Sequence, residues 1–266
     1  MTRFIRPFLD AELVEARQEM QRLAISLLGR KVEEGDWTDV YCKVKKAPPP
    51  GWSNLPFRDY IHNGVGVEFK LLCRQNPIGD VGRSLMHPSA TRTISFDENE
   101  SAESAKRKVL TQWGAQIGEF EERIRKTSKS GKVDARWGIL LWSPDHTQFL
   151  YFEERLVKPD PSDYSARWHD GQHRGNATRN LHIFEKETGE KKFSCTLPRN
   201  GAKLQPYFDV PTEAQGAVLF ELKKVDLVAL YVTRPLRERL GVEFPDLSDD
   251  EIIQELLAGY HRAERA

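Results

Sequence analysis

Cysteine is scarce. Only Cys42, Cys73 and Cys195 occur among 266 residues, and no two of them form a Cys-x-x-Cys pair. That argues against a disulfide framework and against a cysteine-built zinc site. Long apolar runs are missing too: none approaches the roughly 18 residues needed to span a bilayer as a helix, so no membrane association is expected. Net charge is absent, with 40 Lys and Arg against 40 Asp and Glu. This argues against a histone-like surface that binds polyanions everywhere, but it allows a local basic groove offset by an acidic cluster. There is no internal repeat and no low-complexity tract. The opening residues, Met1-Thr2-Arg3-Phe4-Ile5-Arg6-Pro7, hold neither a long apolar segment nor a small-residue cleavage site, so a cytoplasmic location is expected.

The length suits one large domain or two small ones. Leu13, Ala16, Met20, Leu23, Ala24 and Leu27 predict an amphipathic helix from Asp10 to Leu28. Asp36 to Val44 predicts a strand stopped by Pro48-Pro49-Pro50-Gly51, and a second strand pattern runs from Arg58 to Leu72. Asn76 to Thr93 reads as an ordered loop. Acidic caps at Asp97 to Glu100 open a long helix to about Arg125. The run Arg136-Trp137-Gly138-Ile139-Leu140-Leu141-Trp142 predicts a central strand buried on both faces, followed by another strand over Thr147 to Glu153. From Val157 to Gln215 the sequence reads as loops with short strands at Asn180 to Phe184 and Lys192 to Leu197. Ala217 to Leu222 and Val225 to Val232 are strand-like, and Ser248-Asp249-Asp250-Glu251 opens a last helix. The expected class is α/β with a β- and loop-rich C-terminal region.

The chemistry concentrates in one window, Arg58 to Lys70. Asn63-Gly64 is a strong signal for a two-residue type I′ hairpin. With that turn, His62 faces Val65, Ile61 faces Gly66, Tyr60 faces Val67 and Asp59 faces Glu68. Facing residues share one side of the sheet with Cβ atoms about 4.5–5.5 Å apart. Lys70, two residues past Glu68, falls on the same side. Two opposed carboxylates repel unless a positive charge lies between them, and hard oxygen donors suit Mg²⁺. The lysine is placed to orient or deprotonate a water, or to stabilise developing negative charge. The opposite side of the strand, with Tyr60, His62, Val65, Val67 and Phe69, is the core side; that of Ile61, Gly66, Glu68 and Lys70 reads as a bare edge.

This pattern resembles the PD-(D/E)xK nuclease superfamily, whose members include type II restriction endonucleases. The family core runs helix, β-meander bearing Asp and then Glu-x-Lys, helix, central strand, an order matched here over roughly residues 10 to 155. The residue before Asp59 is Arg58, with the nearest proline at Pro56. The resemblance implies a restriction-endonuclease-like core with a central mixed β-sheet flanked by helices over residues 1–156. Residues 157–266 would add a DNA-recognition lobe, core-completing strands and a C-terminal helix. It further implies Asp59, Glu68 and Lys70 as catalytic residues, Asp59 and Glu68 as Mg²⁺ ligands, and hydrolysis of double-stranded DNA at a short specific sequence, leaving 5′-phosphate and 3′-hydroxyl ends. A homodimer would match two-fold symmetric targets. Two alternatives stand beside this reading: a modification-dependent, repair or defence nuclease of the same fold, and a non-catalytic DNA-binding protein.

Other residues compete or contribute. Glu221-Leu222-Lys223 is a second Glu-x-Lys, with Asp209 upstream, and Asp36 or Asp39 would replace Asp59 if the hairpin did not form. Glu15, Glu19, Gln112 and Gln116 are weak candidates for an outer acidic or polar group. Arg, Asn, Gln and His side chains suited to base edges and phosphates gather at Arg74, Asn76, Arg83 and Arg92. A second gathering comprises Arg167, His169, Gln172, His173, Arg174, Asn176, Arg179 and Asn180.

Overall fold

The structure is a computed structural model that describes residues 4–27, 31–49, 59–74, 78, 82–85, 94–97, 99–144, 146–173, 176–196 and 203–222. In chain order its elements are β1 (Phe4–Ile5), α1 (Asp10–Ser26), α2 (Glu34–Val44), β2 (Tyr60–His62), β3 (Val65–Cys73), β4 (Arg83–Leu85), α3 (Ala102–Thr127) and β5 (Asp134–Trp142). They continue with β6 (Gln148–Arg155), β7 (Tyr164–His173), β8 (Asn176–Glu185), β9 (Lys191–Thr196), β10 (Lys203–Asp209) and β11 (Val218–Glu221). The strand expected over Val225 to Val232 and the helix expected from Ser248 lie outside the described residues.

The first helix forms as its spacing predicts, burying Ala16, Met20, Leu23 and Leu27. The next segment corrects the sequence reading: Asp36 to Val44 belongs to helix α2, not to a strand. Trp37, Val40, Tyr41 and Val44 are buried at i, i+3, i+4 and i+7, a helical stripe that outweighs the β-leaning Thr, Val and Tyr content. A reciprocal cap between Glu33 and Asp36 starts the helix.

The hairpin forms in the expected register. Tyr60 pairs with Val67, Ile61 with Gly66 and His62 with Val65. Asn63 and Gly64 have φ of 48° and 81°, both positive as a type I′ turn requires. A Cβ on Gly64 would stand 2.6 Å from the Lys132 carbonyl oxygen, so no side chain fits there. From β3 the chain crosses through α3 to β5, which lies parallel to β3 from Val65–Asp134 to Cys73–Trp142. A parallel pair needs such a crossover, and α3 supplies it. Its N-cap is Ser101, whose Oγ accepts from the Ser104 amide at 3.2 Å, one residue beyond the acidic cluster expected to cap it.

Strand order in the mixed sheet is β1-β6-β5-β3-β2, with β11 also paired to β6. Helices α1 and α2 cover one face. There Trp37 is fully buried among Phe8, Tyr41, Phe69, Tyr151 and Phe220. Burial of each such ring is worth about 1.5–3 kcal/mol. Helix α3 covers the other face, so the side of Ile61 and Gly66 is not a bare edge. Phe120 and Ile124 press so closely on Gly66 that a Cβ there would meet Ile124 Cδ1 at 2.5 Å.

The region from Val157 to Gln215 is also more regular than expected. Four of its strands and β4, from within the Asn76 to Thr93 segment read as loop, form a second, wholly antiparallel sheet ordered β4-β10-β9-β8-β7. Leu181, Ile183, Cys195, Leu204 and Phe208 point inward and share one apolar cluster with α3 and the mixed sheet. That cluster crosses the boundary drawn at residue 156. Among the described residues, no helix is long and apolar enough to cross a membrane.

Close packing at Gly66 is testable. Gly66→Val is expected to destabilise the protein by about 1–3 kcal/mol through overpacking against α3. Urea unfolding would report this as a lowered midpoint, whereas an unchanged midpoint would contradict the packing.

Candidate active site

Two residues of β3 and one just before β2 build the site. Glu68 and Lys70 alternate along β3 and share one side of the sheet. They are 5% and 4% exposed, deep for two charged side chains. Strand β2 begins only at Tyr60, so Asp59 does not continue the ladder opposite Glu68. Its carboxylate reaches across instead, and Oδ2 accepts from the Phe69 amide at 2.7 Å. The Lys70 ammonium donates to Glu68 Oε1 at 3.0 Å and to the Phe69 carbonyl oxygen. A third carboxylate, absent from the sequence reading, joins them: Glu34 Oε1 accepts from Lys70 Nζ at 3.2 Å. Glu34 opens α2, and the only sequence signal for it is the Glu33/Asp36 cap pattern, legible once the segment is read as a helix.

Three carboxylates therefore surround one ammonium. Burial raises the Glu68 carboxyl to about 8, against the pull of Lys70, with Asp59 and Glu34 adding to the rise. Asp59 is raised for the same leading reason, burial. Burial opposes the charge on Lys70, but Glu68, Glu34 and Asp59 together hold its pKa above the ordinary lysine range. No donor reaches the second oxygen of Glu68, Oε2, among the described residues, and the Asp59 carboxyl lies close enough to share a proton with Glu68. A buried carboxylate oxygen left unpaired is costly, and it is where a proton or a cation is wanted. Asp59 and Glu68 are thus the residues able to hold a hard divalent ion. Among the described residues no preformed cluster of three or more His, Cys, Asp or Glu does so, so water and substrate oxygens would complete the shell.

The rival sites do not assemble among the described residues. Glu221 is exposed at the end of β11, where its Oε1 accepts from Gln148 Nε2 at 3.3 Å. Asp209 lies in the other sheet opposite Arg83, and Lys223 is outside the described residues. Asp36 caps α2 and Asp39 lies within that helix, so neither replaces Asp59. Glu15 pairs with Lys46, and Glu19 with Arg22 and Lys43. Gln112 braces the backbone of Ser95, and Gln116 sits within α3.

Among the described residues, the candidate DNA contacts are spread over both sheets. Arg74 follows β3 directly, with its amide bonded to the Trp142 carbonyl. Arg83 lies in β4 opposite Asp209, while Asn76, Arg92 and Arg174 are outside the described residues. Arg167, His169 and Asn180 occupy the outer side of the second sheet, turned away from α3. Arg179 occupies the inner side, over the Trp168 ring at 4.8 Å and paired with Asp170. Gln172, His173 and Asn176 belong to the far end of the β7–β8 ladder.

The Glu68 shift gives stability a pH signature. A carboxyl with a pKa of about 8 in the fold and an ordinary 4.5 when unfolded binds its proton more tightly in the native state. Metal-free protein is therefore expected to lose stability as pH rises through that window. Mg²⁺ should raise the melting temperature more at the alkaline end, and Glu68→Gln should flatten the slope. Thermal melts in EDTA and in Mg²⁺ across pH check this; an EDTA slope that Glu68→Gln leaves intact would refute it. Comparison of the chain with protein-family models, curated proteins and solved structures finds no match.

Proposed function

We propose that this protein is a Mg²⁺-dependent DNA endonuclease of the PD-(D/E)xK type. The observation that carries the reading is the convergence of Asp59, Glu68 and Lys70 in a buried cluster of charge, with no donor on Glu68 Oε2. The element order α1, hairpin, α3 and parallel β5 agrees with it. The segment 36–44 departs from it, being helix α2 where a further strand was expected.

In this reading Asp59 and Glu68 hold the ion, which would supply charge neutralisation at the scissile phosphate and acidify an attacking water. Burial raises the Glu68 carboxyl, so a cation would have to displace any proton held there before binding. Lys70 keeps its proton at neutral pH, because its pKa is raised by three carboxylates. Its role is therefore to orient the water and stabilise negative charge on the phosphate oxygens, not to act as the base. Glu34 and the Phe69 carbonyl aim the ammonium. A two-fold symmetric target would call for two copies of the chain.

Cleavage of unmethylated and methylated phage DNA tests this. Discrete fragments are expected in Mg²⁺ and none in EDTA, and Lys70→Ala should slow cutting by about 10²–10³-fold. Cutting of methylated DNA alone would mark a modification-dependent enzyme. Undiminished cutting by Lys70→Ala would remove the site from these residues, and no cutting by folded wild type would favour a non-catalytic DNA-binding protein.

A further inference from the structure

The outer side of the antiparallel sheet has a composition that core packing does not explain. Strand pairing places Arg167 opposite His182, His169 opposite Asn180, and Phe184 beside Lys191. The rings of His169 and His182 stack at 4.7 Å and 18°. The Arg167 guanidinium lies 4.4 Å from the centre of the Phe184 ring, and His182 meets that ring edge-on. Among the described residues, no Asp or Glu occupies an outward position of β7, β8 or β9. The acidic residues nearby are engaged elsewhere: Asp170 with Arg179 on the inner side, and Glu185 and Glu190 with Lys192. In a chain with as many acidic as basic residues, three adjacent strands without an outward carboxylate form a distinct surface.

We propose that this surface binds single-stranded nucleic acid. Cations supply attraction for phosphates, and flat rings supply faces on which unpaired bases stack, a combination that tolerates any base. Asn180, opposite His169, adds an amide side chain suited to base edges. Ring stacking argues for an unpaired strand over a duplex, whose bases already stack on one another. The surface is also distinct from the Glu68 site, because the inner side of the same sheet packs on α3. It therefore stands independently of the nuclease reading.

Fluorescence anisotropy of the full chain with a labelled oligothymidylate, in EDTA to prevent cutting, tests the proposal. The oligothymidylate should bind more tightly than a duplex of equal length and more tightly than an abasic oligomer. Arg167→Ala and His169→Ala alter exposed side chains and should each weaken binding about tenfold with unchanged melting curves. Asn180→Asp, which adds a negative charge at nearly constant shape, should do likewise. The His182 imidazole is held down to about 4 by burial and by Lys191, His169 and Arg167. A phosphate laid among those cations should raise it in an NMR titration. Duplex or abasic oligomer bound equally well, or folded variants that bind like wild type, would overturn the proposal. Binding without any Mg²⁺-dependent cutting would sink the nuclease reading and leave this one standing. Cutting that persists while the variants bind normally would do the reverse.

Discussion

A strand covered on both faces carries a glutamate and a lysine in its middle, and that constraint organises the site. Strand β3 packs α1 and α2 on one side and α3 on the other, so Glu68 and Lys70 cannot be satisfied by bulk water. Breaking such a buried pair by removing one partner costs about 3–5 kcal/mol, because the other charge is left uncompensated. Asp59 is drawn onto the Phe69 amide and Glu34 onto the Lys70 ammonium from different parts of the chain.

A second buried carboxylate shows what a fully satisfied one looks like. Glu153 in β6 is entirely buried, and its Oε1 accepts from the Tyr41 and Tyr151 hydroxyls at 2.7 and 2.9 Å. Its Oε2 accepts from Arg136, which is itself tied to Asp134. Both oxygens have donors, and the network lies among aromatic rings that pack the sheet against α2. Glu68 differs by one oxygen that no donor reaches among the described residues and by an excess of carboxylates around it.

Legibility in the sequence followed the range of the interactions. The hairpin register was readable because Asn63-Gly64 is a local rule that sets all the pairs behind it, and Arg136 to Trp142 announced itself as a central strand by being almost wholly apolar. Helix α2 was misread because Thr38, Val40 and Tyr41 favour strands individually, whereas their burial follows a period near 3.6. The second sheet is only partly legible: Asn180 to Phe184 alternates polar and apolar residues as a strand should, whereas Arg167, His169 and Asp170 in β7 and the short β4 carry too few apolar residues to mark a strand. Glu34 could not be read as part of the site, since it meets Lys70 across 36 residues through the placement of a whole helix.

The pairing of β11 with β6 has a consequence for synthesis. Val218 and Phe220 complete the apolar layer beneath α1 and α2, and they emerge from the ribosome only after the entire second sheet. Until then the outer rim of β6 offers unpaired amides and carbonyls along Gln148 to Tyr151, a template for association with other chains. The nascent chain therefore passes through a vulnerable interval in which the Asp59, Glu68 and Lys70 hairpin exists while its sheet is unfinished. The mixed sheet that holds Glu68 and Lys70 is thus completed only after the second sheet has been made.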